Sequence, residues 1–207
     1  MRILAVVVIL LSLQTFAYTA KEGNVLATVG PFLYQTNYQS GPNRPDSPLL
    51  ADLALVVQGD SNDHGSLEIS LFHMNKVFFR DQGGDFLAEQ KELVQVGMGY
   101  RWWLSPYTSV SLGFVSSYAM GDAKVIYSSV APGHALDTSA SDVSEYGGDF
   151  SLQQELWNHE RYSVIADLRY SRSLTSKENE SGDHYGILIG LRYFIQDKTG
   201  KVPSNLP

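Results

Sequence analysis

The 207-residue chain contains no cysteine. That absence excludes a disulfide scaffold, a thiolate nucleophile, a thiolate zinc site and a cysteine-linked lipid anchor. Charge is sparse at 18% of residues, against an ordinary share of about 25%. Positive charge is the scarcer sign, with 15 Lys plus Arg against 22 Asp plus Glu and a net charge of −7. No basic stripe is available to release phosphate counterions, so no nucleic-acid partner is expected. No HExxH, P-loop or dinucleotide fingerprint occurs, so no cofactor and no metal is expected. Helical periodicity is rare. After the first 13 residues no apolar run approaches the length of a membrane helix; the longest, residues 49–57, is broken by Asp52.

The one long apolar run is at the start. Met1 and Arg2 supply a positive end, residues 3–13 are apolar apart from Ser12, and small residues follow before Lys21 and Glu22. This is the layout of an export signal, too short to span a bilayer. Residues 1–20 are therefore expected to be a signal peptide, with Ala17 and Ala20 both suitable cleavage positions. Removal takes Arg2 and leaves a net charge near −8.

The remainder reads as strands. Period-two alternation recurs with turn signals between, and eight strands are expected near 25–38, 48–58, 65–79, 90–104, 107–120, 143–157, 161–173 and 183–195. Most exceed the five or six residues usual in soluble sheets and reach the 9–11 that a tilted membrane strand needs. Tight turns are expected after the fourth and sixth strands and longer connections after the first, third, fifth and seventh, the longest over residues 121–142. One barrel domain over 21–195 and a polar, disordered tail over 196–207 complete the division.

Alternation alone does not choose between a soluble barrel and a membrane barrel, because the two differ in which face looks inward. Crowding decides. An eight-stranded interior is just wide enough for side chains, and Gly97, Gly99, Gly113, Gly147, Gly186, Gly190, Ser109, Ser111 and Ser163 all fall on the polar face. The polar face is therefore the inner one. Aromatics supply a second argument, since amphipathic rings settle at headgroup level. Trp102, Trp103, Tyr107, Trp157, Tyr162, Tyr193 and Phe194 gather at the tight-turn end; Tyr34, Phe78, Phe79, Tyr118, Tyr146, Tyr170 and Tyr185 gather at the other. The fold expected is all-β: an antiparallel, up-and-down, eight-stranded transmembrane β-barrel.

At this point the chain resembles the small outer-membrane β-barrels of Gram-negative bacteria, the OmpA-type and OmpX-type group. The most specific piece is the last strand, Gly190-Leu191-Arg192-Tyr193-Phe194-Ile195, which is similar to the C-terminal signal read by the barrel-assembly machinery. Members usually end at that aromatic residue, whereas twelve residues follow Ile195 here. The resemblance implies the Gram-negative outer membrane as location, its lipids and lipopolysaccharide as surroundings, and the assembly machinery and periplasmic chaperones as transient partners.

The inner face collects Glu68, Gln95, Arg101, Glu145, Asp149, Glu155, Asp167, Arg169 and Arg192. Charges in a narrow interior should pair, and Asp167 with Arg169 and Arg192 is the first pairing expected. The network reads as a plug that blocks flow, with a narrow ion channel as the sharper alternative. Some barrels of this size are lipid A-modifying esterases or acyltransferases, which makes the five histidines relevant. His64 and His159 fall in turns, His134 in the long loop and His73 near the upper boundary, where it is expected to be interfacial. His184, after Asp183 and opposite Ser171 and Ser173, is the one His/Ser/Asp grouping. The compact His-x-Ser-Asn run of the deacylases is absent, so the expectation is a non-enzymatic barrel serving envelope structure or surface interaction. Asp122, His134, Asp137 and Asp142 read as solvated residues of acidic loops in preference to a metal site.

Overall fold

The computed structural model describes residues 18–41 and 44–196. Most of the expected signal segment, and the tail from residue 197, lie outside the described residues. Among the described residues ten strands form: β1 (Val25–Thr36), β2 (Leu50–Asn62), β3 (Gly65–Gln82), β4 (Asp85–Trp103), β5 (Thr108–Ala119), β6 (Lys124–Ser128), β7 (Ser144–His159), β8 (Tyr162–Ser173), β9 (Glu180–Ser181) and β10 (His184–Gln196). Eight of them pair with their neighbours in the order β1-β2-β3-β4-β5-β7-β8-β10, all antiparallel. β10 returns to β1 and closes the sheet. Closure leaves no unpaired edge around the wall, as an environment without water demands.

The expected strands match in place but not always in length. β3 and β4 run to 18 and 19 residues. The long connection expected between them is instead a two-residue turn, Gly83-Gly84, with φ of +63° and +95°. Left-handed backbone at both turn residues matches the twist of the flanking strands, and glycine adopts it without a Cβ penalty. The hairpin therefore projects beyond the barrel. Pro31 sits within β1, and the β1–β10 register has no partner for Gly30 or Pro31 while holding Val29↔Leu191 and Phe32↔Leu188. Proline brings no N–H, so the ladder breaks locally and resumes in phase.

Alternate residues look in and out. Met98 is 69% exposed and Leu67, Leu112 and Phe114 also lie on the outer surface, whereas Arg101, at 0%, is among the most buried side chains. This inverts the pattern of a water-soluble barrel and suits hydrocarbon. The inner face is closely packed. A Cβ on Gly99 would stand 2.7 Å from the Leu112 carbonyl oxygen and 2.8 Å from the Gly113 Cα.

Three aromatics expected in the upper girdle are instead interior. Tyr34 and Phe78 are buried because β1 and the upper part of β3 turn them into the bore, and Phe79, on the opposite face of the projecting hairpin, is buried against Val77, Phe86 and Tyr38. Phe32, Tyr34, Ala54, Val56, Phe72, Met74, Phe78, Leu93, Ile165 and Leu188 form an apolar cluster inside the barrel. The bore thus carries an apolar cluster among its polar residues and is not polar throughout. Tyr118, Tyr146, Tyr170 and Tyr185 do lie exposed on the outside at the loop end.

The expected long loop also contains structure. β6 pairs with the projecting part of β4, and a short 3-10 turn, Ser139–Ser141, packs below it with Ala140 buried in the apolar cluster. β9 adds to the projecting part of β3.

Candidate functional site

The strands assemble one continuous polar network across the bore. Glu68 on β3 accepts from Arg101 Nε at 2.6 Å, from Gln58 at 3.1 Å, and from Arg169 across the barrel. Arg101 on β4 also donates to Ser109 at 2.9 Å and Ser151 at 2.8 Å and reaches Asp167 at 3.4 Å. Arg169 on β8 bonds Asp167 and Asp149, each at 2.9 Å, and lies 5.0 Å over the Phe72 ring. Two guanidiniums and three carboxylates are thereby linked by charge-assisted bonds, the condition under which buried charge is tolerated. The inward serines supply the remaining acceptors.

Two further pairs lie above and below this centre. Lys76 bonds Glu145 at 2.7 Å on the loop side and covers the Phe78 ring. Arg192 pairs with Glu155 on the turn side and donates to Ser163 at 2.8 Å. The expected Arg192 contact with Asp167 does not form. In the β10–β8 register Arg192 faces Ser163, four residues from Asp167, a separation of about 13 Å along a strand. All eight charged residues expected inside the bore are buried there. Lys76 and Asp60 are buried beside them and escaped the sequence reading, because Lys76 lies on the part of β3 that is apolar on both faces and Asp60 lies past the expected end of the second strand. Among the described residues the bore holds a small cavity of ≈10 Å³ beside Glu68 and Arg169 and another of ≈10 Å³ beside Lys76 and His184. Each has room for about one water molecule.

The turn end carries Trp102, Trp157 and Tyr162 on the outer surface, with the Tyr162 and Tyr193 rings 5.0 Å apart. Tyr107 is half-buried. Trp103 and Phe194 depart from the expected girdle. Both occupy inward positions of their strands, and Trp103 donates through its indole N–H to Ser66 at 2.8 Å inside the mouth. Trp102 and Trp103 are adjacent, so one must face in when the other faces out.

The loop end is capped. Val77, Phe79, Phe86 and Ala88 form a small core in the projecting hairpin, with the Tyr38 ring stacked 4.2 Å from Phe79. Arg80 bonds Asp137 at 2.9 Å, Lys177 bonds Asp137 and the Thr138 carbonyl, and Glu180 accepts from Ser139 Oγ at 2.8 Å. Hydrogen bonding from Lys177 holds the Asp137 carboxyl below the usual carboxylate range. Asp85 is also held low, first by the Ala131 backbone N–H and then by His134. Beside this cap lies an open pocket of ≈430 Å³, lined by residues that include Tyr38, Asp81 and Asn179.

The His/Ser/Asp grouping does not assemble. His184 is buried with neither ring nitrogen hydrogen-bonded, Ser171 bonds Asp149, and Asp183 accepts from Tyr170 at 2.7 Å and the Ser173 N–H at 2.9 Å. His73, half exposed, sits between Asp52 at 3.1 Å and Glu92 at 2.9 Å. Among the described residues, no group of three or more His, Asp or Glu side chains is arranged to hold a metal ion.

No family model matches the chain, and no curated protein matches it. Solved structures do. OprG of Pseudomonas aeruginosa, an outer membrane protein, superposes with a TM-score of 0.53 at 10% identity over 85% of this chain and 97% of that one. Ail, the attachment invasion locus protein of Yersinia pestis, gives 0.43 at 11% identity over 83% and 99%. The outer membrane protein AlkL gives 0.41 at 10% identity over 94% and 97%. Of these three, the OprG superposition is close enough to bear on architecture, and at that identity it speaks for the fold alone. Closed eight-strand topology, an apolar exterior and this likeness agree: the chain has the fold of the small outer-membrane β-barrels.

Proposed function

We propose that the protein spans the outer membrane of a Gram-negative envelope as a non-enzymatic, plugged barrel, serving envelope structure or surface interaction through its loop end. The observation that carries this reading is the filled bore. Glu68, Arg101, Asp149, Asp167 and Arg169 bridge the interior, an apolar cluster lies above them, and the loops cap the top. An ion entering would have to displace charge-assisted bonds in a space that holds about one water. In this orientation the tight turns, the start of β1 and the end of β10 face the periplasm and the projecting hairpin faces outward. The surroundings would be outer-membrane lipids and lipopolysaccharide, and the last strand would be read by the assembly machinery after chaperone escort.

Planar-bilayer recording of the purified protein tests the plug: silence is expected, and reproducible discrete openings would establish the narrow channel instead. Mass spectrometry of lipid A with and without expression tests the enzyme alternative. An unchanged profile is expected, and a lost or added acyl chain would reverse the reading.

A further inference from the structure

Tyr18 and Ala20 precede the first strand, yet both are built into the turn-end mouth of the barrel. The Tyr18 hydroxyl donates to Asp60 and accepts from Asn24 Nδ2 at 3.3 Å. Its ring lies 4.8 Å from that of Trp103, and the Arg192 guanidinium stands 5.2 Å above it. The Lys21 N–H donates to the same Asp60 carboxylate at 2.8 Å, and Gly23 and Asn24 exchange backbone bonds with Asp60 at 3.0 and 2.9 Å. Asp60 and Arg192 are both buried. Tyr18 therefore closes a layer in which Trp103, Tyr18 and Arg192 cover one another across the mouth.

Loss of Tyr18 would strip one donor from a buried carboxylate and one aromatic face from a buried guanidinium, each an unfavourable change. The two candidate ends of the leader differ on this point. Cleavage after Ala20 removes Tyr18, and it also places that bulky ring three residues before the cut, where small residues are required. Cleavage after Ala17 keeps Tyr18 and puts Thr15 in that position.

We infer that the leader is removed between Ala17 and Tyr18, so that the mature chain opens with Tyr18 as the stopper of the periplasmic mouth. The step is a hydrolysis. One water adds across the Ala17–Tyr18 amide, the C–N bond breaks, Ala17 departs with a carboxylate and Tyr18 keeps an α-ammonium. The inference rests on reading the first residues as an export leader.

The full chain, expressed in a Gram-negative host and extracted from its outer membrane, should yield an N-terminal sequence of Tyr-Thr-Ala and the corresponding intact mass. A start at Lys21 overturns the inference. A start at Met1 overturns the leader itself, a distinct failure. The stopper role is read separately in a W102F/W157F background, where Trp103 is the sole tryptophan. Y18A, once shown to be folded by heat-modifiable migration and cut at the same bond by mass, should raise acrylamide quenching of Trp103, whereas Y18F, which keeps the ring, should not. Equal quenching in Y18A and the parent would remove the stopper role.

Discussion

Arg101 Nε donates to Glu68 Oε2 at 2.6 Å between neighbouring strands, and both side chains are closed to solvent. The same carboxylate faces Arg169 from across the barrel. Glu68, like Asp167, joins both cations, and its neutralisation should leave both undercompensated. E68Q is expected to cost about 3–5 kcal/mol, the usual penalty for breaking a buried pair. Equilibrium unfolding in lipid vesicles measures it, and a change under about 1 kcal/mol would show that the network is dispensable.

The outward face can be tested by charge. Leu112 lies mid-strand on β5, exposed on the outside. L112R should destabilise the barrel by about 2–4 kcal/mol in vesicles, as for other midplane cations on a lipid-facing wall. An exposed leucine of a soluble barrel would tolerate the change within about 0.5 kcal/mol, so a neutral result would invert the assigned orientation.

Glycine at 99 answers a close approach of two strands. The atoms that a Cβ would meet are backbone, which has no rotamer to yield. G99V should therefore cost about 1–3 kcal/mol or prevent closure, seen as loss of heat-modifiable migration. Gly59 meets nothing within 4 Å, and G59A should migrate as the parent does.

Acid should loosen the loop-end cap. The Asp137 carboxyl, bonded by Lys177, titrates below its ordinary range. Such a group stabilises the folded state above the unfolded value of about 3.9, and that stabilisation is lost as pH falls through the lower folded value. Hydrogen-exchange protection of residues 137–142, corrected for intrinsic rates, should hold at neutral pH and fall below about pH 4. D137N should lower protection at neutral pH and flatten the dependence. Protection that persists in acid would dissociate Asp137 from the cap.

The first third of the chain shows where alternation stops being legible. On β4, β5, β7, β8 and β10 the inner face is mostly Gly, Ser, Gln and charge, with Leu93, Val115, Ile165 and Leu188 as exceptions, so period two stands out, and Arg101, Asp149 and Arg169 were readable as lumen residues. On β1 and the upper part of β3 the inner face is itself apolar. Phe32 and Tyr34 point in while Val29 and Leu33 lie on the other side of the strand, and Phe78 and Phe79 are both enclosed. With apolar residues on both faces the pattern carries no sign. Tyr34, Phe78 and Phe79 therefore read as girdle residues, and Lys76 went unnoticed among them.

Composition and period were enough to specify the eight strands of the wall and which face of most of them looks inward, because side-chain direction alternates strictly along a strand and small residues must fill a narrow interior. Which acid meets which base was not in the pattern. Arg192 found Glu155 and Ser163 instead of Asp167 because stagger between neighbouring strands sets the height of each side chain in the bore. Stagger belongs to the closed sheet as a whole, as does the apolar cap that the projecting hairpin and loops build together. Only the assembled barrel could decide either.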